Sequence, residues 1–233
     1  RLKIFGYTKE DFKKIIIPMS ISGKESIGSM GVDTPLAVLS KKPQLLYNYF
    51  KQLFAQVTNP PLDGIREEII TDTSLSIGKN FNIFEITEDH CINLNINNPI
   101  ISNEDLDKIK YIDHKNFISK SIRCLYKSKM GHNGIEEALE NIVINIEKYI
   151  DKGTNIIILS DRNVSKKMSP IPILLVCSYV HQTMIKKKKR SKFGILIESA
   201  EPREPHHFSM LFGFGASAIN PYLVNEIIDY HHN

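Results

Sequence analysis

The second half of the chain alternates between short, continuous apolar runs and amphipathic stretches. Residues 155–160 (NIIILS) and 193–199 (FGILIES) are apolar and rich in β-branched side chains, which is typical of parallel strands covered on both faces. A largely apolar segment from about Pro172 to Ile185 lies between them and predicts a helix. Two buried strands joined by a helix form a βαβ unit. The stretch at residues 215–221 (GASAINP) predicts a third strand, followed by a terminal helix.

The clearest helical periodicity precedes the first of these strands. Asn133 with Glu136 resembles a capping box, and Gly153 is expected to end the helix. The apolar face of this helix consists of Ile135, Leu139, Ile142, Val143, Ile146 and Ile150. Residues 121–127 (SIRCLYK) favour one more strand before it. The second half therefore predicts an α/β domain with a parallel sheet.

The first half of the chain shows weaker periodicity. Thr8, followed by acidic residues, predicts a helix N-cap, and Pro18 is expected to end that helix. Ser40 predicts the cap of a second helix, whose apolar face runs over residues 45–57. Residues 69–103 lack a clear period and are expected to be irregular, with short extended pieces.

One loop of the first half is predicted to make contacts outside the core, and a second segment is predicted to have a rigid backbone. Residues 18–35 contain three glycines and no apolar period, so they predict a loop long enough for such contacts. Thr58 and Asn59 precede two prolines, and residues before proline avoid the helical region, so Asn59 is expected to be extended. The charged residues that follow are interpreted as a salt-bridged anchor: Asp63, Arg66, Glu67 and Glu68.

Composition excludes several classes of protein. The net charge of +4 over 233 residues is too small to indicate nucleic-acid binding. No apolar stretch approaches the roughly 20 residues needed to cross a membrane. The three cysteines are far apart and predict neither a disulfide framework nor a zinc site, as in a reducing compartment. The start at Arg1 instead of Met suggests a piece of a longer chain.

Polar residues stand where each predicted parallel strand ends, and ligands of open α/β sheets bind outside those ends. These residues are Ser160, Asp161 and Arg162, then Glu198 and Ser199, then Asn220. Asp161 and Arg162 are able to bind a phosphate or a carboxylate, although an Asp–Arg pair that closes the turn is the more common arrangement.

Three other motifs contain residue types that are common in catalytic or binding sites. His206 and His207 are adjacent, so their side chains point apart; a role at a helix start or a domain contact is favoured over catalysis. The basic run at residues 186–192 (KKKKRSK) fits a solvated helix C-terminus, or else a surface for an acidic partner. Residues 213–218 (GFGASA) precede their strand and lack the third glycine of a dinucleotide fingerprint.

Several ordered segments resemble the central domain of the large chain of glutamate synthase. They are GSMGVDTPLAVLSKKPQLLYNYFKQLFAQVTNPPLDGIREE, NIIILSDR, PIPILL, ESAEPREPHHF and GFGASAINPYL. The match runs from near residue 4 to near residue 228, so residues 1–233 are expected to form one such domain within a larger chain. Gly64 departs from the family pattern, which usually has proline there.

The resemblance implies an α/β fold that is a rudimentary, incomplete (β/α) barrel-like domain related to FMN-binding TIM barrels. The parent enzyme is expected to be an iron-sulfur flavoprotein whose amidotransferase domain releases ammonia from glutamine. The ammonia passes through a tunnel to an FMN-bearing barrel, where 2-oxoglutarate is converted to glutamate. FMN and the iron-sulfur cluster are expected in the parent enzyme, and no catalytic residue, cofactor or metal is expected in this chain.

The resemblance also implies site residues and partners. Thr58 and Asn59 are the candidate residues of the ammonia tunnel. Candidate domain-interface residues are Gly28, Ser29, Met30, Gly31, Asp33, Arg66, Asp161, Arg162, His206 and His207. The expected partners are the amidotransferase and FMN-barrel domains of the same enzyme, with ferredoxin or an NADPH-oxidising subunit as electron source, in a plastid stroma or a bacterial cytoplasm. The alternative is a free-standing α/β module that binds an anionic metabolite through the SDR turn and residues 198–204.

Overall fold

The computed structural model describes residues 1–25, 35–51 and 62–232. In chain order, the strands are β1 (Leu75–Ile77), β2 (Leu94–Ile96), β3 (Ser119–Arg123), β4 (Leu125–Lys127), β5 (Ile156–Ser160), β6 (Met168–Pro170), β7 (Gly194–Glu198) and β8 (Ala218–Asn220). The helices are α1 (Ile17–Ser22, after a π-helical turn at Asp11–Ile16), α2 (Gly64–Ile70), α3 (Asn103–Lys110), α4 (Gly131–Ile150), α5 (Ile173–Lys186), α6 (Pro205–Gly213) and α7 (Tyr222–His232).

A parallel sheet of four strands forms the centre, in the order β3-β5-β7-β8. Every residue of β5, β7 and β8 is buried, which explains why their sequences are continuously apolar instead of alternating. The three predicted strands, the predicted βαβ unit and the terminal helix are confirmed.

The two faces of the sheet have different covers. One face packs on α4, α5 and α6 through residues such as Ile157, Leu159 and Ile197. The opposite face packs on α3 and on the antiparallel pair β1–β2, with Ile158 and Leu196 in that second cluster. The helices that connect successive strands thus lie on a single face of the sheet.

The sheet is open in the part of the chain that the structure describes. No described strand joins β3 to β8, so the predicted barrel-like arrangement is not a closed barrel there. The structure shows an α/β fold with an open parallel sheet.

Two predicted boundaries in the second half differ from the structure. The SIRCLYK stretch divides at Cys124: β3 joins the parallel sheet, whereas β4 pairs with β6 in a separate antiparallel ribbon. Cys124 fixes this division, since its N–H donates to the carbonyl of Ser160 and its own carbonyl accepts from Ile171. The capping box at Asn133 is wrong, because α4 begins at Gly131, whose φ of 57° turns the chain into the helix.

Two predictions in the first half need correction. Pro18 does not end a helix; it lies in the first turn of α1, where its missing N–H is not required. The long helix from Ser40 is also wrong over residues 41–51, where only Leu46–Phe50 forms a 3₁₀ helix and Ser40 ends the preceding 3₁₀ turn. Thr8 does cap the first helical segment, since its hydroxyl accepts from the N–H of Asp11.

Candidate functional site

The carboxyl ends of the parallel strands bring the predicted polar residues together. Ser160 is in register with Glu198, which is in register with Asn220 on the next strand. All three are buried, at the edge of the sheet where open α/β folds place their functional groups. The predicted placement of these residues at the strand ends is confirmed.

Asp161 is fully buried and is bound by the turn after the neighbouring strand. Its carboxylate accepts hydrogen bonds from the hydroxyl of Ser199 and from the N–H of Ala200 at 3.1 Å. Burial raises the pKa of Asp161 to about 7, although the bonds from Ser199, Ala200 and Tyr222 oppose the rise. Asp161 therefore fastens two strand ends together.

Arg162 does not pair with Asp161, so the predicted ion pair closing this turn is wrong. Its Nε donates to Glu198, its Nη1 lies 3.4 Å from Glu226 Oε1, and its guanidinium stacks 4.0 Å from the ring centre of Tyr222. Successive side chains after the strand face opposite ways, which is why the two residues meet different partners.

Glu198 is the negative centre of this edge. Its side chain is only 2% exposed and accepts from Arg162 and from Lys110 Nζ at 2.7 Å. Burial alone would raise the pKa of Glu198, but the hydrogen bonds from Lys110, Ser160 and Arg162 outweigh it, so the pKa is lowered. Glu198 is a charged carboxylate held by two cations.

Glu201 and Arg203, in the segment after β7, connect the carboxyl edge of the sheet to α5 and to the N-terminal segment. Glu201 accepts a 3.1 Å hydrogen bond from the N–H of Ile173, and burial raises its pKa to about 8. Arg203 donates to the carbonyls of Phe5 and Gly6 and stacks 4.2 Å from the ring centre of Tyr7. The N-terminal segment is thereby fixed over the strand ends.

The two adjacent histidines have separate partners, as predicted, and lie in the first turn of α6. His206 Nε2 is 3.0 Å from the carbonyl oxygen of Tyr47. His207 is buried, stacks on Tyr47 at 4.3 Å and lies 2.9 Å from Glu204 Oε1. Burial lowers the pKa of His207, which favours its neutral form. The prediction of a helix-start role is confirmed.

A cavity of about 300 Å³ lies beside the turn after β5. Its walls are Arg1, Arg162, Asn163, Val164 and Tyr222. The guanidiniums of Arg1 and Arg162 share the carboxylate of Glu226. Its Oε2 lies 3.0 Å from Arg1 Nη1, and its Oε1 lies 3.4 Å from Arg162 Nη1. The cavity places cationic and aromatic surfaces next to each other at the carboxyl edge.

The family model for the glutamate synthase central domain matches residues 1–233. The chain belongs to the glutamate synthase central domain family. It is 44% identical over 223 residues to the large chain of glutamate synthase [NADPH] of Bacillus subtilis, covering 96% of this chain and 14% of that protein. It is 39% identical to glutamate synthase [NADH] of Schizosaccharomyces pombe, with 96% and 11% covered. It is also 39% identical to ferredoxin-dependent glutamate synthase 2 of Synechocystis, with 96% and 14% covered.

The similarity to glutamate synthases concerns a small part of those proteins and is shared by enzymes with different electron donors. The chain spans only 11% to 14% of the length of these three proteins. Their names give three electron donors, NADPH, NADH and ferredoxin, so similarity to the central domain does not select one.

The family resemblance implied a tunnel and contact residues that lie largely outside the described residues. These are Thr58 and Asn59 of the candidate tunnel and Gly28, Ser29, Met30, Gly31 and Asp33 of the candidate interface. Arg66 is described: it is exposed on α2 and lies 3.1 Å from Asp63, whose side chain caps that helix. The predicted salt-bridged anchor is present for this pair.

The three cysteines are free thiols in this structure. Cys124 and Cys177 are buried and Cys91 is exposed, and within the described ranges no three potential ligands come together. Burial raises the pKa of the Cys177 thiol to about 12, which opposes the thiolate that a metal requires. Within the same ranges, no helix is long and apolar enough to cross a membrane.

The basic run lies at the C-terminus of α5, as predicted, but several of its side chains pair within the chain, which the sequence did not indicate. Lys187 and Lys189 both pair with Glu147 of α4. Arg190 donates to the carbonyl oxygens of Phe193 and Gly215. The run therefore ties α5 to its neighbours instead of forming a purely solvated helix end.

Proposed function

We propose that this chain is the non-catalytic scaffold domain of a glutamate synthase. It would join the glutamine amidotransferase domain to the FMN-binding barrel and help to form the passage for ammonia. The parent enzyme would make glutamate from glutamine and 2-oxoglutarate, with electrons from ferredoxin or from an NADPH-oxidising subunit. FMN and an iron-sulfur cluster would belong to its other domains. The relatives include bacterial proteins, yeast proteins and a rice protein named as chloroplastic, and the bacterial and rice relatives support a bacterial cytoplasm or a plastid stroma.

The observation that carries this proposal is the exposed apolar surface beside both predicted contact segments. After residues 26–34 come Leu36, Val38 and Leu39, which are 45%, 71% and 71% exposed. After residues 52–61 comes α2, which buries none of its residues, and its Ile65 and Ile69 are 81% and 76% exposed. Ile65 and Ile69 are one helical turn apart and so share a face of α2, and apolar residues exposed together in this way are typical of an interaction site. A neighbouring domain would cover both patches.

The carboxyl edge of the sheet supports a structural rather than a chemical role. Asp161, Glu198 and Glu201 all accept hydrogen bonds from within the chain. Arg203 and Tyr7 hold the N-terminal segment across the same edge. A substrate that reached these carboxylates would first have to displace that segment.

The strand order supports a relation to (β/α) barrels. In β3-β5-β7-β8 each strand follows its predecessor in the chain, and the connecting helices all lie on one face. Successive (β/α) units of a barrel have the same arrangement. We therefore propose that the domain is an incomplete barrel whose opposite face is covered by α3 and the β1–β2 pair.

A tunnel would matter because ammonia is mostly protonated at neutral pH and is then not nucleophilic. The test uses the glutamate synthase polypeptide that contains this chain. Asn59→Ala is expected to lower the glutamate formed per glutamine hydrolysed, while added ammonia still supports glutamate formation. Asn141→Ala, at an exposed position of α4, is the matched control and should leave the ratio unchanged. Unchanged coupling in Asn59→Ala would remove the tunnel role of that residue.

A further inference from the structure

The cavity beside the turn after β5 has no part in the scaffold proposal. Its wall contains two cationic side chains, Arg1 and Arg162, and the aromatic ring of Tyr222. Its volume is about 300 Å³. That volume is at the lower end of small-molecule sites. It suits a compact metabolite rather than a dinucleotide.

Glu226 shows what the two arginines recognise. Its Oε1 lies 3.4 Å from Arg162 Nη1 and its Oε2 lies 3.0 Å from Arg1 Nη1. One planar carboxylate of the chain thus bridges both guanidiniums, so their spacing already fits an oxyanion. The Glu226 and Arg1 side chains are 37% and 56% exposed, and an ion pair this exposed contributes little to stability. Exchange of Glu226 for a ligand is therefore inexpensive.

Arg162 is pre-organised for this role. Glu198, which is only 2% exposed, holds its Nε, and the ring of Tyr222 lies against its guanidinium at 4.0 Å. A guanidinium has five N–H donors, so it retains donors beyond its contacts with Glu198 and Glu226. Tyr222 also begins α7, whose N-terminal partial charge favours an anion on that side of the cavity.

We propose that Arg1 and Arg162 form a clasp for a small anionic metabolite, with Glu226 as the internal occupant that the ligand displaces. The ligand group is an oxyanion, either a carboxylate or a phosphate. Binding would replace the Glu226 carboxylate by the ligand, which would then connect Arg1 of the N-terminal segment to Arg162 at the sheet edge. The sequence-based alternative of an anion-binding module had the SDR turn in common with this site. Arg203 of its second segment is instead fixed to backbone carbonyls.

The test is isothermal titration of the 233-residue chain with inorganic phosphate and, separately, with succinate, in a low-chloride buffer. Glu226→Gln removes the competing carboxylate and should tighten binding about tenfold, whereas Arg1→Gln should weaken it about tenfold. Arg66→Gln is the matched control, because Arg66 is an exposed arginine of α2 that pairs with Asp63. It should leave the affinity unchanged. Arg162 is not substituted, because it also neutralises the buried Glu198.

The two titrants identify the ligand group. Binding of phosphate alone, of succinate alone or of both supports the clasp and names its preference. The absence of heat with wild type and with Glu226→Gln at about 10 mM of either anion would overturn it. Equal weakening by Arg66→Gln and Arg1→Gln would also overturn it, since it would indicate general attraction of anions. Far-UV circular dichroism checks that each variant is folded, and the expected gain in Glu226→Gln keeps the test decisive if Arg1→Gln does not fold.

Discussion

Glu201, on the turn after β7, accepts a 3.1 Å hydrogen bond from the N–H of Ile173, the first residue of α5. Pro172 before it offers no side-chain cap, so Glu201, from the turn after the next strand of the parallel sheet, accepts the free N–H at this helix end. The N-terminal partial charge of α5 favours the carboxylate, but burial and the charge of Asp161 raise the pKa of Glu201 to about 8. The cap therefore has a pH dependence.

Glu201→Gln is expected to reduce the loss of stability that accompanies a rise in pH from 4.5 to about 8. The unfolded carboxyl ionises near 4.5 and the folded one near 8, so the wild type loses free energy of unfolding as pH rises between these values. Asp161, raised from 3.8 to about 7, acts in the same direction and remains in the variant. Glutamine keeps the acceptor but does not ionise, so part of a loss on the order of a few kcal/mol should disappear.

Urea unfolding followed by circular dichroism at several values from roughly pH 5 to pH 9 measures this effect. Glu140→Gln, at an exposed position of α4, is the control and should retain the wild-type slope. Parallel profiles for wild type and Glu201→Gln would show that ionisation of Glu201 does not govern the loss of unfolding free energy as the pH rises.

The parts of the fold that were predicted correctly are those in which one local pattern has one solution. The all-buried run of β5 is continuously apolar because both faces of the sheet are covered, and the polar residues Ser160 and Glu198 follow from where such runs stop. The partners of those residues were not predictable. Lys110 lies 88 residues from Glu198, and Tyr7 lies 193 residues from its acceptor Ala200. No local period encodes such contacts.

The Asp161–Arg162 pair illustrates the same limit at short range. Adjacent opposite charges predict a local ion pair, but Asp161 is directed to Ser199 and Arg162 to Glu198, both at the end of the neighbouring strand. Tertiary partners at the sheet edge override the local preference because buried carboxylates require hydrogen bonds.

Lys110→Met should destabilise the chain by about 1–3 kcal/mol at neutral pH. The change leaves the buried Glu198 with Arg162 as its remaining cationic partner among the contacts described above. The pKa of Glu198 is lowered from 4.5, and Lys110 is first among the groups that lower it. The stabilisation by Lys110 is therefore present above pH 4.5 and is lost as the pH falls below that value through the folded pKa, so the penalty should shrink there. Urea unfolding at about pH 7 and pH 4 measures the penalty at neutral pH and its decrease at acidic pH.

Lys108→Met is the control on the same helix. Lys108 pairs with Glu104 and Asp105 but is 65% exposed, so its loss should destabilise the chain less than the loss of Lys110 does. Equal penalties for the two lysine variants would contradict the central role assigned to Glu198.

Gly64→Pro should stabilise the chain by about 0.4–1 kcal/mol. Gly64 is the first residue of α2, where proline is favoured, and Asp63 before it is already extended at φ −80° and ψ 157°. A side chain at this position meets no atom within 4 Å. Thermal unfolding measures the gain, and Gly64→Ala separates the effect of proline from the removal of glycine. A lower melting temperature for Gly64→Pro than for Gly64→Ala would show that the helix start is not compatible with proline.

Ile65→Glu separates stability from domain contact. Ile65 is 81% exposed and lies in the first turn of α2, where an acidic residue suits the helix dipole, so the free energy of unfolding of the 233-residue chain should change by less than about 0.5 kcal/mol. In the glutamate synthase polypeptide proposed to contain the chain, the same change places a charge in an apolar interface. It should lower the glutamate formed per glutamine hydrolysed. Ile144→Glu, at an exposed isoleucine of α4 (46% exposed), adds the same charge away from α2. If both variants keep wild-type coupling, α2 does not contact a neighbouring domain during turnover.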